Sequence, residues 1–139
     1  MIKIKKVQIE DVDSCWEGVK GWISKACDLS NGKHTMETTY CLIKDGTMDL
    51  FLVYIHGELK SAYVGQQMYY PAKVIYLLLF IGGGEVIKNL KEMQEYFIAY
   101  AKFKECEGVE VIGRVGWAKV IKDKDVKFKQ TGSYYEIDF

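Results

Sequence analysis

The sequence predicts an α/β (α+β) chain of one domain, residues 1–139, built on a mixed, mostly antiparallel central sheet with a β-α-β crossover after a glycine turn and helices on both faces. Three observations carry this prediction. Val74 to Ile81 is an unbroken apolar run of strand length, as a central strand covered on both faces requires. Gly82, Gly83 and Gly84 stop that run. Beyond them Val86, Ile87, Leu90, Met93, Phe97, Ile98 and Ala101 recur at three- and four-residue steps, with Lys88, Lys91, Glu92 and Glu95 between, so a long helix lays one face on the strand. Val109 to Ile112, after Gly108, is a short strand in the position of a parallel crossover partner.

The remaining elements follow in chain order. Ile2 to Gln8 alternates Ile2 and Ile4 with Lys3 and Lys5, an edge-type strand with lysines outward. Asp11 suits an N-cap, and Val12, Cys15, Trp16, Val19, Ile23 and Ala26 form the apolar stripe of a first helix down to about Cys27, weakened by Gly18 and Gly21. Ser30-Asn31-Gly32 makes a turn, and Thr35 to about Lys44 reads as a short second helix. Leu50 to Ile55 and Leu59 to Tyr70 form an antiparallel hairpin around His56-Gly57-Glu58. Pro71 sits before the central strand, where a missing donor is tolerated. After the crossover, Gly113 and Gly116 bracket a turn and Trp117, Val120 and Ile121 a brief helix. Phe128 to Phe139 is expected to close the chain as strand, with Gly132 at a bulge or hairpin.

Composition narrows function. The chain has 139 residues, 49% of them hydrophobic, enough for one real core. Acidic and basic residues balance at 19 each, which argues against nucleic acid or an anionic membrane surface as partner. No apolar run spans a bilayer and the first residues alternate like a strand, so neither a membrane segment nor a signal peptide is expected. Cys15, Cys27, Cys41 and Cys106 form no CxxC pair, and with His34 and His56 they offer no zinc-ligand spacing, so no metal is expected. Cys15, Cys27 and Cys41 fall on helix stripes as small buried hydrophobes, which fits a reducing, cytoplasmic setting.

A glycine turn opening a helix leaves several backbone N–H groups pointed at one spot, which suits an anion such as a phosphate. The same glycines also suit a tight turn that needs positive φ. A valine at Gly83 is expected to block the approach of a ligand to this turn while sparing the fold. Arg114, the one arginine, stands between Gly113 and Gly116, where it can fork onto a phosphate or carboxylate or pin the turn to backbone carbonyls. Ten tyrosines and three tryptophans are generous for this length. Tyr63, Tyr69, Tyr70, Tyr134 and Tyr135 lie on expected strands whose outer faces can serve as interface anchors.

The element order, with its glycine turn between the central strand and the long helix, resembles the Gcn5-related N-acetyltransferase (GNAT) fold. In that family the turn carries Gln/Arg-x-x-Gly-x-Gly/Ala, whose amides hold the pyrophosphate of acetyl coenzyme A. Gly82 and Gly84 match the glycines, and Leu79 stands where the family has Gln or Arg. The chain is also similar over nearly its whole length to small GNAT-like proteins of tailed bacteriophages. The matching pieces are SNGKHT (30–35), DLFLVYIHGELKSA (49–62), YYP (69–71), GG (82–83), VEVIGRVGWAKVIKD (109–123) and FKQT (128–131), with Lys127-Phe128 in place of a Gly-Phe pair.

The resemblance implies an acyl-CoA-dependent N-acetyltransferase that moves acetyl from acetyl-CoA to an amine. Gly82, Gly83, Gly84 and Arg114 would hold the cofactor, and a backbone N–H exposed where the central and fifth strands splay apart would serve the developing oxyanion. Many family members place a tyrosine acid on the short helix after the fifth strand; that helix has none here, leaving Tyr134 or Tyr135 to reach in. The base could be Glu110, His56 or Glu58, of which Glu110 is the best placed. The alternative is a non-catalytic protein on a degenerate GNAT scaffold, acting in the phage virion, in ejection or on host proteins. In that case its partners are proteins and its place is the virion or the bacterial host cytoplasm.

Overall fold

In the computed structural model, which describes residues 1–112, 126–132 and 135–139, five strands form one sheet in sequence order. They are β1 (Ile2–Lys6), β2 (Asp49–Ile55), β3 (Glu58–Tyr69), β4 (Val74–Gly83) and β5 (Val109–Val111). The first three pairings are antiparallel and β4 pairs β5 in parallel. Helices α1 (Val12–Cys27) and α2 (Met36–Lys44) cover one face, and α3 (Leu90–Phe103) the other. Side chains alternate between faces along a strand, so a strand covered on both faces must be apolar throughout. In β2, Leu50 and Leu52 pack under α1 while Phe51 and Val53 pack under α3, and all four are buried.

The hairpin expected at His56-Gly57 is present, with both residues at positive φ (50° and 82°), the two-residue geometry whose twist matches the strands it joins. At the end of α3 the chain reverses without glycine. Glu105 adopts φ 61°, the Cys106 N–H bonds the Ala101 carbonyl at 2.8 Å and the Glu105 N–H bonds that of Lys102 at 3.0 Å, a Schellman closure that stops the helix before Gly108. The start of α2 is set by a reciprocal cap: Thr38 N–H to Thr35 Oγ1 at 3.1 Å and Thr35 N–H to Thr38 Oγ1 at 2.9 Å. Thr35→Ala is therefore expected to lower stability by about 1 kcal/mol, seen as a shift of the urea midpoint at unchanged m-value; an unshifted midpoint would mean the cap contributes nothing.

Several expectations are corrected. Gly82 and Gly83 do not lie in a turn that opens the long helix; they are the last residues of β4, opposite Ala62 and Ser61. The helix starts at Leu90, because Glu85 takes a left-handed φ of 61° and a 3-10 turn over 87–89 intervenes, closed by Asn89 Nδ2 donating to the Glu85 carbonyl at 2.8 Å. Residues 126–132 and 135–139 are not strand. Side-chain contacts take up this tail instead: the Lys127 N–H donates to Gln94 Oε1, Asn31 Nδ2 donates to Asp138 Oδ2 at 3.0 Å, and Lys33 Nζ pairs with Glu136 Oε1 at 2.5 Å. Asp11 precedes α1 but its side chain caps nothing. Cys41 is exposed, being on the outer side of α2. Tyr63 is no surface anchor: it is 1% exposed beneath α3, and burial pushes its hydroxyl pKa up to about 12. Tyr69 and Tyr135 are exposed, at 74% and 91%.

Candidate functional site

Among the described residues β4 and β5 pair over Tyr76–Leu78, the Ile112 N–H bonds the Leu78 carbonyl at 3.2 Å, and β4 continues five residues further to Gly83. This further segment of β4 begins at a β-bulge against β3. Val64 lies opposite Phe80 and Gly65 opposite Leu78, so Leu79 has no partner on β3, and both Leu79 and Phe80 turn toward α1 while Leu78 and Ile81 face α3.

The register decides which backbone groups of this segment face away from β3. The Gly84 N–H bonds the Lys60 carbonyl at 2.8 Å. In an antiparallel ladder bonded and non-bonded pairs alternate. Phe80 and Gly82 therefore bond β3, and the N–H and C=O of Ile81 and Gly83 point the other way, where the described residues supply no strand. Aligned amide donors in a low-dielectric cleft suit a carbonyl oxygen that gains negative charge.

The three glycines divide by function. A Cβ on Gly82 would lie 2.7 Å from the Trp22 carbonyl, so this glycine lets α1 rest on the end of β4. A Cβ on Gly83 would lie 2.5 Å from the Lys60 carbonyl, and its φ of 107° is itself a glycine conformation. Around Gly84 no described residue lies within 4 Å of the Cβ position, so among these residues its backbone is open to approach. Beyond it, Asn89 makes no side-chain cap at the start of α3, which leaves the first-turn amides of that helix without a side-chain partner at its N-cap, beside exposed Lys88 and Lys91. Glu85 acts on Lys60: the pKa of that lysine is raised, first by its hydrogen bond to Glu58, 2.8 Å away, and to a lesser degree by Glu85. These groups fit a thioester-bearing coenzyme, with amide donors for its carbonyl, an open loop at Gly84, and a helix start with two lysines for its phosphates.

Glu110 lies on β5 opposite Leu77. Its neighbours Val109 and Val111 pack toward α3, so its side chain projects on the α1 side, where it is exposed and accepts a hydrogen bond from the Tyr70 hydroxyl at 2.8 Å. His56 and Glu58 sit at the same end of the sheet as Gly83, since Ile55 pairs Glu58 and Ser61 pairs Gly83. His56 Nδ1 lies 3.1 Å from the Met1 nitrogen, and Glu58 is paired with Lys60. Arg114, Tyr134, Gly113, Gly116, Trp117, Val120 and Ile121 lie outside the described residues.

Sequence reasoning passed over His34, weighed there only as a lone zinc ligand. Its ring stands edge-on to Phe80, with centroids 5.2 Å apart. Burial, and then the charge of Lys33, hold its pKa below the ordinary imidazole value. The signal was the hexapeptide SNGKHT, four of whose residues (Ser30, Asn31, Gly32 and Thr35) are turn or cap formers. Two surface cavities, about 250 Å³ between α3, β5 and Phe128 and about 400 Å³ between α1 and α2, both lie away from the Ile81–Gly84 segment, which carries the more specific chemistry. Among the described residues no three His, Cys, Asp or Glu side chains could hold a metal ion, and no helix is long and apolar enough to cross a membrane.

The sequence matches no protein-family model and no curated protein. The fold does have solved counterparts. A ribosomal-protein-alanine N-acetyltransferase from Brucella melitensis biovar Abortus 2308 superposes with a TM-score of 0.67 at 12% identity, covering 100% of this chain and 99% of that one. A predicted acetyltransferase from Clostridium acetobutylicum, solved with acetyl-CoA, gives 0.64 at 10% identity over 99% and 96% of the two chains. Glucosamine-6-phosphate N-acetyltransferase from Arabidopsis thaliana gives 0.60 at 13% identity over 99% of each. The chain has the GNAT acetyltransferase fold.

Proposed function

We propose that this GNAT-fold chain is an acyl-CoA-dependent N-acetyltransferase acting on an amine. The observation that carries the reading is the register of β4 beyond the Leu79 bulge, which turns the amides of Ile81 and Gly83 away from β3, toward a side where the described residues supply no strand, next to the backbone of Gly84. Bound acetyl-CoA supplies an acetyl group activated as a thioester. The chain would hold it through the Gly82–Gly84 backbone, the first turn of α3 and Arg114, and orient its carbonyl on the Ile81 and Gly83 amides. Glu110, on the α1 side of β5, would draw the positive charge of the acceptor amine, and Tyr134 is the candidate proton donor to the departing thiol. Acetylation of the Brucella, Clostridium and Arabidopsis type supports the class of reaction through fold alone, and the acceptor is an unidentified amine.

One observation favours the non-catalytic reading. Leu79, where the family motif has Gln or Arg, turns its side chain into the α1 core and offers a phosphate nothing. The similarity of SNGKHT and VEVIGRVGWAKVIKD to small phage GNAT-like proteins supports a phage origin, and with it phage virion or host proteins as partners in that case. Calorimetric titration with acetyl-CoA separates the two readings. Micromolar binding is expected. Gly84→Val, whose added side chain enters open space, is expected to weaken binding at least tenfold by blocking approach to the backbone, with an unchanged thermal midpoint. No binding at millimolar cofactor would end the transferase reading, and equal binding by wild type and variant would remove the glycine backbone from it.

A further inference from the structure

The geometry points to His34 as the group that takes a proton from the acceptor amine, an inference that rests on the transferase reading above. The hexapeptide Ser30–Thr35 builds a fixed loop around this one ring. Ser30 Oγ lies 2.6 Å from the Cys27 carbonyl and accepts the His34 N–H at 3.1 Å. Asn31 is left-handed at φ 55° and tied to Asp138, Gly32 has φ 79°, Lys33 is paired with Glu136, and Thr35 caps α2. Every polar side chain of the motif except that of His34 is thus engaged. Among the described residues neither imidazole nitrogen has a hydrogen-bond partner, and the ring is held by packing against Phe80.

Its position follows from the bulge. Phe80 comes directly after Leu79 and directly before Ile81, and its side chain belongs to the α1 face. The imidazole therefore stands on that face of β4 at the level where the Ile81 and Gly83 amides turn away from β3, and Glu110 projects on the same side from β5. Glu110 has its carboxylate on the Tyr70 hydroxyl, whereas the His34 ring nitrogens are without a bond among the described residues. The described charge that acts on the ring is Lys33 of its own loop, itself paired with Glu136 of the tail; β4 contributes the Phe80 ring. Partial burial keeps the imidazole neutral near pH 7, as a proton acceptor must be. In the step, one proton passes from the ammonium nitrogen of the acceptor to an imidazole nitrogen, freeing the amine lone pair, and the imidazolium then releases that proton to solvent.

Two measurements test this. Carbethoxylation of His34 by diethylpyrocarbonate, followed by peptide mass mapping, reads the neutral imidazole directly. Its rate is expected to reach half-maximum below pH 6.5 and to fall at least fivefold with saturating acetyl-CoA, with His56 as internal control. Cofactor binding by calorimetry without protection of His34 would overturn the inference and leave the transferase reading standing; no binding would overturn both. In the kinetic arm, with Nα-acetyl-lysine methyl ester as acceptor, His34→Gln is expected to lower kcat/KM about 10²-fold at pH 7 without changing the Kd for acetyl-CoA. The deficit should shrink as pH approaches the amine pKa of about 10.4, where solvent does the deprotonation. A deficit constant with pH, or no rate that depends on His34, would overturn the assignment.

Discussion

Gly83→Val is expected to destabilise the protein by about 2–5 kcal/mol. Two costs add. A side chain at this position would drive its Cβ to 2.5 Å from the Lys60 carbonyl and 2.6 Å from Ser61 Cα, both backbone atoms of the paired strand that cannot give way like a flexible side chain. Overpacking of this kind costs about 1–3 kcal/mol. The positive φ of 107° adds about 1–2 kcal/mol for a β-branched residue. Urea unfolding of the purified variant measures the sum, and a midpoint within error of wild type would refute the close packing of β4 on β3 at this point. The result bears on function too. Loss of cofactor binding in Gly83→Val would report damage to the sheet, contrary to the expectation that this substitution spares the fold, and only the variant at Gly84 isolates access to the backbone.

The second large effect is expected at Phe97. Its ring is fully buried and is the hub of the aromatic layer beneath α3, with centroids 4.9 Å from Phe51, 5.1 Å from Tyr96 and 5.7 Å from Tyr63. Phe97→Ala removes those contacts and leaves a cavity that neighbours on three strands cannot collapse to fill, so a loss of about 3–5 kcal/mol is expected. Chemical denaturation gives the value. A loss under about 1 kcal/mol would mean that α3 is held by its ends. One end is anchored independently: Tyr76 and Tyr100 share Asp49, whose Oδ2 lies 2.7 Å and 3.4 Å from their hydroxyls, and burial with the nearby carboxylate pushes both phenol pKa values well up. This network satisfies the Tyr76 hydroxyl in a fully buried position, where an unpaired polar group would be costly.

Strand, helix and hairpin were legible in the sequence because each is written in a local period. The apolar run from Val74, the three- and four-residue steps from Leu90 to Ala101, and His56-Gly57 between two apolar runs specify their elements without knowledge of any neighbour. Boundaries resting on glycine were misjudged, because glycine says that a side chain is excluded and not why. Gly82 excludes one for α1 and Gly83 for β3, both long-range reasons, whereas the helix end expected at Gly108 falls earlier, at the left-handed Glu105. The closing strand expected over Phe128 to Phe139 failed for a related reason: aromatic and apolar residues describe a chain able to pair, and pairing needs an edge in register.

By itself, then, the sequence determined the five strands and three α-helices of residues 1–112, their order, the apolar character of both sheet faces and the neutral charge. Tertiary structure alone decided the site. The bulge at Leu79 is a mismatch between two strands, the turn of the Ile81 and Gly83 amides away from β3 follows from the register that pairs Gly84 with Lys60, and His34 acquires its place only when the loop before α2 folds over Phe80. Each is a relation between residues distant in the chain. A one-residue change of register would turn those amides toward β3 with no change in local sequence pattern.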